Sequence, residues 1–187
     1  MLTGPRIAAL AEIGLCSGVP TQLVIGTVLR VAGWSPFNPG GGLSLPFVLT
    51  LSVLDTLMVV GLMVVLTLAQ GQSLSDLWLG QRPVKREVIY GALLIPIVFV
   101  LVVVLLNAMR VAAPGLHNVQ VNPLEQLAST PGAAAMFAVV AIVAGGVREE
   151  LQRVFLLHRF EQHLGGVRVG IVILSIGFGL GHVVQGW

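Results

Sequence analysis

Charge is scarce in this sequence. Only 10% of its 187 residues are Asp, Glu, Lys or Arg, against about 25% in soluble domains, which excludes an ordinary water-soluble fold. Cysteine is almost absent: Cys16 stands alone inside an apolar run, so neither a disulfide framework nor a thiolate metal site is available. Leu15, immediately before it, is too large for lipoprotein cleavage, and Cys16 reads as a buried structural residue. The net charge of +2 rests on few groups, so nucleic-acid binding is not inferred and the basic residues read as topology signals. No internal repeat or low-complexity segment is present.

What the sequence has in excess is apolar surface, with 56% hydrophobic residues and a mean hydropathy of +0.95. Five long runs carry it: 7–31, 46–70, 88–109, 133–147 continuing as a helix to about 163, and 167–187. The first is too long for the apolar core of a signal peptide, typically about 7–15 residues, and Pro20 is expected to kink it. A run of about 20 residues crosses the hydrocarbon layer as a helix. The expected fold is therefore all-α, a polytopic transmembrane helical bundle of about five spans whose first partner is the lipid bilayer.

The connections are read from composition. Residues 34–42 hold two prolines and three consecutive glycines and form a loop. In the polar stretch 72–87, Ser73 or Asp76 can cap a short interfacial helix. Residues 110–130 form a longer loop in which His117 is expected to be solvated. Pro131-Gly132 suits the start of the fourth helix, whose far end, His158, Arg159, Glu161 and His163, is expected to be solvated. With five spans, Arg6, Arg82, Lys85, Arg86, Arg159 and Arg168 fall on one side and Arg30 and Arg110 on the other. The positive-inside bias then places the N-terminus in the cytosol.

Against this apolar background the remaining charges stand out. Arg148, Glu149, Glu150 and Arg153 adjoin the run 133–147. A charge at mid-membrane costs about 2.5–3.5 kcal/mol, while each Leu, Ile, Phe or Val returns about 0.3–0.6. The neighbouring apolar side chains do not offset four such charges, which points to a functional cluster. Asp55 is the single charge of its run and is expected to hydrogen-bond a neighbouring helix. Glu12 lies in the first turns of its helix and is expected to reach the headgroup zone.

Gly165-Gly166 reads as a helix C-cap and tight turn between antiparallel helices. Glu150 lies sixteen residues before Gly166 and His182 sixteen after it, so both stand about 24 Å from the turn, at one depth. Phe178 and His182, four apart, share a helical face. Gly145-Gly146 and the Gly177-x-x-x-Gly181 spacing are expected to let backbones approach.

These residues resemble the CPBP intramembrane proteases, a family that includes CAAX prenyl proteases and bacteriocin-processing and immunity proteins. Its Glu-Glu-x-x-x-Arg motif is matched by Glu149-Glu150-Leu-Gln-Arg153, with Arg153 one residue early, where it is rotated by roughly 100° on a helix. Its Phe-x-x-x-His motif is matched by Phe178-Gly-Leu-Gly-His182. The family's third motif, a later His with Asn or Asp nearby, has no counterpart before Trp187, so the resemblance implies a C-terminally truncated member or a site lacking one part. It also divides the chain into N-terminal helices and loops at 1–130 and the start of a protease core at 131–187.

Amide hydrolysis needs an activated water and a group to stabilise the oxyanion. A glutamate in low dielectric beside a second carboxylate can serve as the base. Adjacent helical residues point about 100° apart, so only one of Glu149 and Glu150 can face His182; the other can bind Arg148 or Arg153. The resemblance implies that the acidic pair activates water, that His182 ligates a metal or stabilises the oxyanion, and that Arg153 and Phe178 support them. It implies intramembrane cleavage of a membrane-associated or lipidated protein, including a prenylated CAAX protein, in a bacterial plasma membrane. A divalent metal such as zinc, held by His182, Glu149 and Glu150, is the implied cofactor, although the spacing is not the two-His helix pattern of zincins. Two rivals stand beside this reading: a non-catalytic immunity or partner-binding member of the family, and a proton relay through Asp55, Glu149, Glu150 and His182.

Overall fold

The computed structural model describes residues 4–80, 83–116 and 124–182. The expectations placed on Arg82, His117 and Trp187 lie outside these residues. The described chain is helical: α1 (Gly4–Cys16), α2 (Val19–Val31), α3 (Leu45–Ala69), α4 (Leu74–Trp78), α5 (Val84–Ala112), α6 (Pro131–Val140), a π-helical segment (Ala141–Arg148), α7 (Glu149–His163) and α8 (Val167–His182). Two short 3-10 turns, Pro114–Leu116 and Glu125–Ala128, lie between α5 and α6. Among the described residues there is no β-strand, only an isolated bridge between Phe37 and Leu43.

Among the described residues three helices are long and apolar enough to cross a membrane: Leu45–Ala69, Val84–Ala112 and the continuous Pro131–His163. The first run becomes a fourth if its bent pair, Gly4–Cys16 and Val19–Val31, is counted as one span. The fifth run is represented by α8, whose described 16 residues reach about 24 Å, with the rest of the run outside the described residues.

The break in the first run follows from Pro20. Its ring lacks an N–H and collides with the carbonyl four residues back, which is that of Cys16. The chain turns through Gly18 at φ +85° and the two halves bend by 41°. The Ser17 hydroxyl spans the break, donating to the Gly14 carbonyl (2.8 Å) and accepting from the Val19 N–H (3.3 Å).

The other expected signals appear where the chemistry puts them. The Ser73 hydroxyl accepts from the Asp76 N–H and caps α4, and Thr130 accepts from the Ala133 N–H (3.2 Å) ahead of Pro131. Gly165 and Gly166 both adopt φ +98°. The Gly166 N–H returns to the Phe160 carbonyl (3.0 Å) and closes the α7–α8 turn.

The core lies where α1, α3 and α7 meet, with Cys16, Val59, Met63, Phe155 and Leu156 at its centre. α5 has no buried residue.

Close helix approach falls at a different glycine from the expected ones. Gly145, Gly146, Gly177 and Gly181 have nothing within 4 Å of an added Cβ, whereas at Gly170 it would meet Leu157 Cδ2 and Phe160 Cβ and Cγ at 2.9 Å. The tight passage is near the turn, where the helices are pinned together, so the Gly-x-x-x-Gly spacing is not a packing seam among the described residues. Gly170→Ala is accordingly expected to cost about 1–3 kcal/mol by overpacking, while Gly177→Ala stays within about 0.5 kcal/mol. Thermal unfolding in detergent, followed by the reactivity of the buried Cys16 thiol, checks both.

Candidate active site

The π-helical segment delivers the acidic motif. Gly145 and Gly146 sit inside it and, as the weakest helix formers after proline, ease the backbone into a non-α ladder. π-segments inside α-helices are rare and concentrate at functional sites. Here the segment ends at Arg148, one residue before Glu149 opens α7.

From that point α7 has two different faces. Arg148, Gln152, Phe155 and Arg159 fall at i, i+4, i+7 and i+11, a single stripe, and all four are buried. Arg148 reaches Asp55 on α3 (3.5 Å), with side-chain exposures of only 10% and 3%. The Asp55 carboxylate also accepts from the Thr21 hydroxyl and from Gln22 Nε2 (3.2 Å), both from the first turn of α2, where the helix dipole favours an anion. Arg148 is held further by Gln152 Oε1 (2.9 Å) and by the Ala144 carbonyl (3.3 Å). Gln152 Nε2 in turn donates to the Cys16 carbonyl (2.6 Å), the group that Pro20 leaves without an i+4 donor.

Two turns further along, Arg159 is completely buried and its Nε lies 2.6 Å from Glu12 Oε2. The contact is ionic rather than a straight hydrogen bond, since neither atom makes one. Glu12 also accepts from Gln70 Nε2 (2.7 Å), and Arg159 Nη1 donates to Gln72 and Gln162. The guanidinium stacks 4.5 Å above the Phe155 ring. Two expectations are thereby corrected. Arg159 does not belong to a solvated helix end, and Glu12 does not extend freely: each is drawn inward because it neutralises the other. Asp55 does bond neighbouring helices, as its isolation in an apolar run implied.

The opposite side of α7 carries the motif. Glu150 is largely exposed and forms an i, i+3 ion pair with Arg153. This is the role the structure gives to the early arginine, a partner for one of the two glutamates. Glu149 is half-buried, and among the described residues its side chain has no hydrogen bond or ion pair. On α8 the His182 ring sits 4.1 Å, centroid to centroid, from Phe178, with Nδ1 2.8 Å from the Phe178 carbonyl. A carbonyl only accepts, so Nδ1 carries the proton and in the neutral ring Nε2 keeps its lone pair.

The residues named for metal binding, His182, Glu149 and Glu150, were tested as a donor set. Among the described residues no three His, Cys, Asp or Glu side chains are grouped closely enough to hold an ion. These residues therefore do not by themselves fit zinc. The sequence missed Thr21, Gln22 and Gln152. The visible signal was the Arg148, Gln152, Arg159 spacing on one face of α7.

Long apolar helices and an all-α bundle define an integral membrane protein. Within that class, residues 130–187 match the family model described as Type II CAAX prenyl endopeptidase Rce1-like. The matched segment holds α6, the π-helical segment, α7 and α8, and with them both motifs. No curated protein and no solved structure matches the chain.

Proposed function

We propose that the chain is an intramembrane endopeptidase that hydrolyses a peptide bond in a membrane-associated or lipidated protein, a prenylated CAAX protein included, in a bacterial plasma membrane with its N-terminus in the cytosol. The observation that carries this reading is the family match over 130–187 together with a glutamate there, Glu149, that no cation claims among the described residues. Glu149 takes a proton from water, the resulting hydroxide oxygen attacks the scissile carbonyl, and the proton passes to the departing amine. Glu150, bound to Arg153, orders the helix beside it. His182, with its Nδ1 proton held by Phe178, offers the Nε2 lone pair as a proton acceptor or ligand; as a neutral ring it does not donate to an oxyanion from that atom. An apolar groove between α3 and α6, walled by Val53, Leu54, Met136 and Val139, lies on the same continuous helix as Glu149 and suits a lipid chain.

The test is cleavage of a fluorogenic farnesylated CAAX peptide by the chain in proteoliposomes. The unmodified protein is expected to cleave it, and Glu149→Gln with Glu150→Gln to abolish cleavage. Cleavage that survives the double substitution overturns the glutamate-based mechanism.

One observation favours a second reading. The donor groups of the site are not gathered among the described residues, as suits a non-catalytic immunity or partner-binding member of the same family. That reading expects a protective phenotype, such as bacteriocin resistance, to persist when both glutamates are Gln.

A further inference from the structure

The catalytic reading leaves one polar arrangement among the described residues unused. Four elements converge on Asp55 and Arg148: α2 through Thr21 and Gln22, α3 through Asp55, the π-helical segment through Arg148, and α7 through Gln152. Gly18 completes it. It adopts φ +85°, and an added Cβ would lie 3.1 Å from Arg148 Nη1, so the helix break makes room for the guanidinium. A buried ion pair is weak evidence for stability, because desolvation offsets most of the attraction; its best-attested use is to fix register.

What the register fixes here is specific. Arg148 is the residue before Glu149, at the junction where π-helical backbone becomes α. The π ladder and the α ladder differ in residues per turn, so the junction alone leaves the rotation of α7 poorly defined. Anchoring Arg148 inward to Asp55 sets the next two side chains about 100° and 200° further round the helix, where Glu149 is half-buried and Glu150 exposed.

We propose that Asp55 and Arg148 are positioning residues for the Glu149–Glu150 pair: their buried contact sets the rotation of the π-to-α junction and so aims the two carboxylates. The activity part of this inference rests on the proposed endopeptidase reading. The geometric part does not.

The experiment replaces the pair by apolar residues of similar length, Asp55→Leu with Arg148→Met. Such replacement of a buried ion pair is often neutral or stabilising. Thr21 still has the Gly18 carbonyl at 3.0 Å, and Gln152 keeps the Cys16 carbonyl. Two quantities are read on the full chain in proteoliposomes. The first is cleavage of the farnesylated peptide, where kcat is expected to fall by about 10- to 100-fold with KM within about twofold, as follows from misplacing a reacting group by about 1 Å. The second is the distance between spin labels at Val31→Cys and Val147→Cys in a Cys16→Ser background, both labelled positions being exposed. A narrow distribution is expected with the native pair and a broadened or shifted one with Leu and Met.

An unchanged distribution overturns the proposal, whatever happens to kcat. A changed distribution with cleavage kept within threefold overturns it as well, by showing that the rotation does not matter to the chemistry. If the protein with its native pair cleaves nothing, the endopeptidase reading fails and the label distances alone decide whether the pair sets the junction. Should the Leu and Met variant not fold, Arg148→Lys takes its place: it keeps a cation opposite Asp55 but loses the fork to Gln152 and Ala144. It is expected to lower kcat about 3- to 10-fold with a broadened or shifted distance distribution, and unaltered distances overturn the proposal.

Discussion

Arg159→Met alone is expected to destabilise the protein by about 3–5 kcal/mol, the range for breaking a buried ion pair from one side. The reason lies in what stays behind. Glu12 is only 13% exposed and keeps a single neutral donor, Gln70, so its charge would be enclosed without a cation. Arg159 also ties α7 to Gln72 ahead of α4 and covers the Phe155 ring. Combining Glu12→Leu with Arg159→Met is expected to recover most of the loss, because no uncompensated charge remains. Thermal unfolding read by Cys16 thiol labelling separates the two cases, since Cys16 is fully buried in the same core. If the single and double variants unfold at the same temperature, the ion pair is not what holds α1 to α7.

Glu149→Gln is expected to lower peptide cleavage by about 10²- to 10⁴-fold, the usual worth of a positioned general base, whereas Glu150→Gln lowers it by no more than about 10-fold. The two residues are neighbours with identical chemistry, and their surroundings part them. The Glu150 carboxylate is committed to the Arg153 guanidinium, so it is less free to orient a water. Glu149 is half-buried and has no such partner among the described residues. Initial rates for the two single variants, compared as kcat/KM on the farnesylated peptide, decide between them. Equal losses would show that the two carboxylates act as one unit.

Much of the architecture was legible in the chain. Apolar runs located α3, α5 and the α6 to α7 helix to within a few residues, because a bilayer-spanning helix must satisfy its own backbone and so carries a long uninterrupted apolar signal. The bend in the first run was legible from Pro20, and the α7–α8 turn from Gly165-Gly166, since both act through local backbone sterics. The two motifs that resemble the CPBP family were equally local, and the family match covers the segment holding them.

What the sequence could not supply was the pairing of charges. It showed Asp55 as a carboxylate without a named partner, Glu12 as one facing the headgroups and Arg159 as a solvated side chain. The structure joins Asp55 to Arg148 and Glu12 to Arg159, residues about 90 and 150 positions apart in the chain. Gly170 rather than Gly177 became the close contact for the same reason: contacts between helices depend on how they cross, which the helical period leaves open. Spacing therefore determined that Arg148, Gln152 and Arg159 share a face of α7. Only the packing of α1, α2 and α3 decided that this face turns inward, where its charges are neutralised, and so leaves Glu149 on its flank and Glu150 on the exposed side.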